Sequence, residues 1–128
     1  MGLAGSKTED NLREAFANES QDHRLFLYYA QIAEFEGYHD AAAALRATAE
    51  AESGHAHGHL EYLESDQTSE NLKIAIDRET NSYANVYPAM ARTAREEGFD
   101  DIAEWFEMLT KAENYHLSRL KKALERII

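Results

Sequence analysis

The chain breaks into four amphipathic helical stretches, and each carries an acidic residue in the middle of its apolar stripe. At helical spacing the first stretch lines up Leu12, Phe16, Glu19, His23, Phe26, Ala30 and Ala33 on one face, and the second lines up Leu45, Glu52, His55 and His59. The third aligns Leu72, Ile76, Glu79, Tyr83, Val86 and Met90, and the fourth aligns Ile102, Phe106, Leu109, Glu113, His116 and Leu120. A face of this kind turns towards other helices, so four carboxylates are directed at one another. That arrangement is costly unless something neutralises it.

The stretches follow from stop and start signals. The first spans about 9–36, with Thr8 as the expected N-cap and Gly37 as the stop. The second spans about 40–64, capped by Asp40, and the polar link Ser65-Asp66-Gln67 follows it. Thr68 is expected to cap the third, about 69–97, which Gly98 ends, and Asp100 to cap the fourth, about 101–126. With 44% apolar residues, a single all-α domain over 1–128 is expected, built from a hairpin at about 9–64 and another at about 69–126.

The two hairpins repeat. Thr8-Glu9-Asp10-Asn11-Leu12 matches Thr68-Ser69-Glu70-Asn71-Leu72 at an offset of 60, whereas Glu36-Gly37-Tyr38 matches Glu97-Gly98-Phe99 at an offset of 61. One extra residue therefore lies inside the third stretch, the interval that holds the lone proline, Pro88. A kink or a π-bulge near Tyr87-Pro88 accommodates both.

The same offsets organise the acidic residues. Glu19 pairs with Glu79, and Glu52-Ser-Gly-His55 pairs with Glu113-Asn-Tyr-His116. An i, i+3 spacing puts the Glu and His of each pair on one side of a helix. Four carboxylates and two neutral imidazoles balance two divalent cations, and this donor set suits iron or manganese. Similar helical hairpins with solvated acidic faces are the plainer alternative, and a single ExxH would not exceed chance. Cysteine is absent, which excludes disulfides, thiolate catalysis and Cys-ligated metal within the chain. A net charge of −11 opposes binding to nucleic acid or an anionic membrane. No apolar run approaches a membrane span and the N-terminal residues lack a leader-like stretch, so a cytoplasmic protein is expected.

Ala-Asn-Glu19-Ser-Gln, Ala-Glu52-Ser-Gly-His55-Ala, Val-Tyr87-Pro88, Arg-Glu-Glu-Gly98-Phe and Ala-Glu113-Asn-Tyr-His116 resemble the helical domain of the rubrerythrins over nearly the whole chain. The resemblance implies a ferritin-like four-helix bundle with a non-haem diiron site and reduction of hydrogen peroxide to water. It maps the metal ligands onto Glu19, Glu52, His55, Glu79, Glu113 and His116. It also implies that Tyr87 donates a hydrogen bond to a ligand carboxylate. Manganese or zinc would fit the same donors.

The chain departs from the family in several places. The four-Cys rubredoxin-like domain typical of the family has no counterpart, so a separate rubredoxin-like donor is implied. Ser82 stands where the family usually has a seventh ligand, a Glu that exchanges with the second-helix His, and Phe26 stands at a usual Tyr. Ser82 brings a ferroxidase or O2-activating oxidase into view as an alternative, beside a non-catalytic metal-binding bundle. Asp22, three residues after Glu19, is a candidate replacement carboxylate, weighed against a solvent-facing Asp22 and a hydrogen-bonded, partly buried His23. His57 is expected at the surface; His59, one turn beyond His55 near the bundle end, is open to a place beside the ligands, and neither needs a functional reading. Tyr28, Tyr29, Tyr62, Tyr83, Trp105 and Phe106 are expected in core or interface packing.

The link between hairpins bears on assembly. A ferritin-like arrangement makes the second and third helices parallel, so the chain must return along about 37 Å of helix. A link of about five residues reaches at most about 17 Å. Exchange of hairpins between two chains removes the conflict, and a domain-swapped homodimer with two dimetal sites is expected.

Overall fold

A computed structural model describes residues 2–127. The helices are α1 (Lys7–Phe35), α2 (His39–Leu63), α3 (Thr68–Asn81), a five-residue π-helical turn (Ser82–Val86), α4 (Tyr87–Glu96) and α5 (Asp100–Glu125). The segments α3, π turn and α4 run on without a break, so the chain has four long helices and no strand among the described residues. The described residues form two compact units, divided between Glu64 and Ser65. In the first, α1 packs on α2; in the second, α3, the π turn and α4 all pack on α5.

The helix ends differ from expectation by one or two residues, for a common reason. Ser6, not Thr8, caps α1: its Oγ accepts from the Glu9 N–H at 3.0 Å, while Glu9 Oε1 accepts from the Gly5 N–H at 3.1 Å. This is close to a reciprocal capping box, and it places Thr8 inside the first turn. The caps of α2 and α5 are Tyr38 and Phe99 rather than Asp40 and Asp100, which sit in the first turns. Each hairpin turn is a Schellman motif. Gly37 and Gly98 take φ of 87° and 85°, and the next N–H bonds five residues back, Tyr38 to Ala33 and Phe99 to Ala94. The Tyr38 and Phe99 carbonyls then accept from Ala42 and Ala103, so the stop of one helix is already the start of the next. Gln67, not Thr68, caps α3, and Ser65 organises that turn by accepting from Gln67 N–H and donating to Glu70.

The π turn lies where the change of offset requires an extra residue. Tyr87 N–H bonds to Ser82 O, five residues back, and Pro88 follows at the start of α4, where a missing N–H is tolerated.

The buried residues are small. Ala30 of α1 is buried, as are Ala42, Ala49 and Ala56 of α2 at seven-residue intervals, a spacing that lets two helices approach closely. Ala91, Ala94, Ala103 and Leu117 are buried in the second unit. No large side chain is fully buried among the described residues. Leu25, Ile32, Ile74, Met90 and Ile102 remain exposed, and so do Tyr28, Tyr29, Tyr62, Tyr83 and Trp105; Phe106 is half-buried. No described helix is long and apolar enough to cross a membrane.

Candidate metal centre

The first unit brings Glu19 from α1 against Glu52 and His55 from α2, with one ligand atom of each within 4.8 Å of the others. The second unit repeats the group with Glu79 from α3 and Glu113 and His116 from α5, to the same limit. The four carboxylates are half-buried, and the two imidazoles are more open. Helical periodicity accounts for this. Glu19 and Glu79 are central residues of their stripes, and each ExxH pair lies one turn apart on the facing helix.

The decisive atoms are Glu19 Oε2 and Glu79 Oε2. Both are shut off from solvent and neither has a hydrogen-bond partner. Glu19 Oε2 lies 3.0 Å from His55 Nδ1, outside hydrogen-bonding alignment, and Glu79 Oε2 lies 3.7 Å from His116 Nδ1. Two donors each about 2.1 Å from one cation, at nearly a right angle, stand about 3 Å apart. Orphaned carboxylate oxygens beside imidazole nitrogens are what a shared cation satisfies, so the donors present fit the metal ions implied by the ligand pattern.

The first group has an additional member. His59 Nε2–H donates to Glu19 Oε1 at 2.9 Å. Glu19 is held below the ordinary carboxylate range, chiefly by this hydrogen bond, with the nearby imidazoles of His59 and His55 adding to it and desolvation opposing it. The sequence signal was weak: His59 lies seven residues after Glu52 on the same stripe, a position equally suited to packing.

The other candidates separate. His23 donates from Nδ1 to the Ala49 carbonyl at 2.7 Å, which ties α1 to α2, and it belongs to neither group. Asp22 is half-buried and belongs to neither group. His57 is exposed and pairs with Glu61 one turn on. Tyr87 stacks its ring on Phe106, with centroids 6.1 Å apart. Ser82, at the expected seventh-ligand position, opens the π turn.

The sequence model of the rubrerythrin family matches residues 10–124. This chain belongs to the rubrerythrin family. It is 36% identical to the rubrerythrin of Porphyromonas gingivalis, across 98% of this chain and 70% of that protein. It is 34% identical to the rubrerythrin of Clostridium perfringens, across 98% and 73%. A symerythrin of Cyanophora paradoxa is 37% identical over a shorter stretch, 44% of this chain and 32% of that protein. The two longer matches run over 139 and 143 positions, more than this chain's 128 residues, so those relatives carry residues within the matched stretch that this chain lacks. The fold class is all-α, that of the ferritin-like four-helix bundles. Membership of the rubrerythrin family supports a diiron oxidoreductase, and both Glu/His groups could hold a metal ion.

Proposed function

We propose that this chain reduces hydrogen peroxide to water at a diiron centre, using electrons from a rubredoxin-like partner protein. The observation that carries the reading is the pair of orphaned oxygens on Glu19 and Glu79, each beside the imidazole of an ExxH pair. Glu19, Glu52 and His55 would hold one iron, and Glu79, Glu113 and His116 the other. When bound, two ferrous ions would supply the two electrons that, with two protons, convert one H2O2 into two H2O. The four carboxylates would hold the cations and offset their charge. Tyr87, held by its stacking on Phe106, is the candidate hydrogen-bond donor to a ligand carboxylate and a route for a proton. No cysteine among these 128 residues can hold a mononuclear iron, so in this reading the electrons arrive from a group outside them.

The complete centre in this reading joins a first-hairpin group to a second-hairpin group of another copy, in a domain-swapped homodimer. Three observations support it. Four residues, 64–67, separate α2 from α3. The relatives carry extra residues within the matched stretch. Each hairpin buries only small residues and Leu117, and keeps apolar side chains such as Ile32 and Ile102 exposed.

A second reading has its own observation. Ser82 supplies no carboxylate where the family usually has one, and the remaining six donors suit a ferroxidase or O2-activating oxidase. Stopped-flow oxidation of the anaerobically iron-loaded, reduced protein separates the two. Faster oxidation by peroxide than by O2 is expected, and the reverse order favours the oxidase. Stable iron binding without turnover in the presence of a reductant leaves a metal-binding bundle.

A further inference from the structure

The duplicated centre is symmetric in its ligands and asymmetric in one neighbour. Glu52 and His55 correspond to Glu113 and His116 at an offset of 61, and the same offset carries His59 onto Leu120. In the first hairpin the carboxylate of Glu19 is divided: Oε1 accepts from His59, and only Oε2 is left facing His55. In the second hairpin no imidazole occupies the matching place, and Leu120 cannot donate to Glu79. The two groups also differ in tightness, with 3.0 Å between Glu19 Oε2 and His55 Nδ1 against 3.7 Å between Glu79 Oε2 and His116 Nδ1.

We propose that His59 is a positioning residue that fixes Glu19 as a one-oxygen ligand and so makes the two metal positions inequivalent. This rests on the dimetal reading given above. A carboxylate with one oxygen held by a hydrogen bond from a half-buried imidazole cannot rotate to chelate, and its free oxygen has a set direction. Glu79 has no such restraint and can present either oxygen or both. The first-hairpin position is therefore the rigid, tighter one. The second-hairpin position is the one whose carboxylate can change its mode of binding as the charge on the ion changes. His59 acts through Glu19 and is not itself a ligand in this assignment.

The test is anaerobic titration of the whole protein with Co(II), followed by its visible absorption, with two variants. His59→Leu reproduces the residue found at the matching position of the second hairpin. His59→Gln keeps an N–H donor at similar reach. The expected result is that H59L weakens one of two binding steps by roughly 10–100-fold and changes that ion's visible bands. H59Q is expected to restore both the affinity and the spectrum. Should H59L lose its helical circular dichroism, His59→Asn, too short to reach Glu19, takes its place.

Wild-type affinity and spectrum in H59L, with two ions bound, overturn the positioning role and leave the dimetal centre intact. An H59Q as weak as H59L overturns it too, because a donated hydrogen bond is then not what matters. A wild-type protein that binds no Co(II) removes the dimetal reading, and this inference with it.

Discussion

Glu19 and Glu79 lie in the middle of two helices, where an apolar residue would pack better, and each keeps one oxygen without a partner. Their placement makes sense as that of ligands. Without a cation, Glu19 and Glu52 repel each other in the first hairpin, as Glu79 and Glu113 do in the second. Glu52→Ala and Glu113→Ala should each weaken metal binding by more than the roughly 10–100-fold typical of losing a residue that only orients a ligand. In excess chelator the same variants should melt at or above the wild-type temperature, since a like charge has been removed. Dialysis against a chelator series and thermal melts with and without metal read both effects. A variant that melts lower in chelator would mean that its carboxylate stabilises the hairpin itself. The stripe position of these residues was legible in the sequence. The role of His59 was not, because its spacing suits packing as well as hydrogen bonding, and only the rotamers across α1 and α2 bring Nε2 to Glu19.

Among the elements, the π turn has the firmest sequence basis. A repeat whose offset changes from 60 to 61 across one helix requires an extra residue there, and Pro88 marks where the regular ladder is broken. Deleting Ala84 should convert the π turn to regular helix like the matching stretch of α1, and α4 should keep its register, because the π turn absorbs the extra residue. Ala91 and Ala94, which match Ala30 and Ala33 at the offset of 61, would keep their face, but the Pro88 ring would meet a regular ladder. A loss of about 3 kcal/mol or more in denaturant melts is expected, and unchanged stability would show that the turn is incidental. The opposite end of the first hairpin is tied by Glu34, which accepts from His39 Nδ1 at 2.6 Å and from Arg46 at 3.1 Å. These partners, His39 first, hold Glu34 below the ordinary carboxylate range. A carboxylate with a lowered folded-state value contributes stability above its unfolded value and loses it as pH falls through the folded value. The stability difference between wild type and Glu34→Gln should therefore be present at neutral pH and disappear on acidification below the usual carboxylate range. Because the group is exposed, added salt should also reduce the difference. A difference that persists in acid would assign the effect to packing.

At the scale of the whole molecule, the first hairpin buries only alanines and the second only alanines and Leu117, with larger apolar residues left open in both. The swapped homodimer predicts a sedimentation mass of about twice 14.5 kDa, with metal stoichiometry unchanged on dilution until the dimer dissociates. Inserting a flexible Gly/Ser segment of about 15 residues between Glu64 and Ser65 should let one chain close its own bundle and shift the mass towards the monomer. A folded, metal-loaded monomer without the insertion would refute the swap.

The sequence by itself determined the four stripes, the acidic residue in each, the duplicated ExxH and the extra residue before Pro88. These depend only on periodicity along a helix, which any reader can count. Tertiary structure decided which side chains meet across helices. It gave Ser6, Tyr38, Gln67 and Phe99 the caps, because Schellman and side-chain turns set where the next helix starts. It tied His23 to the Ala49 carbonyl and His59 to Glu19, and it left Oε2 of Glu19 and of Glu79 without partners. Such choices depend on the distance and rotation between packed helices, which spacing along one helix does not encode.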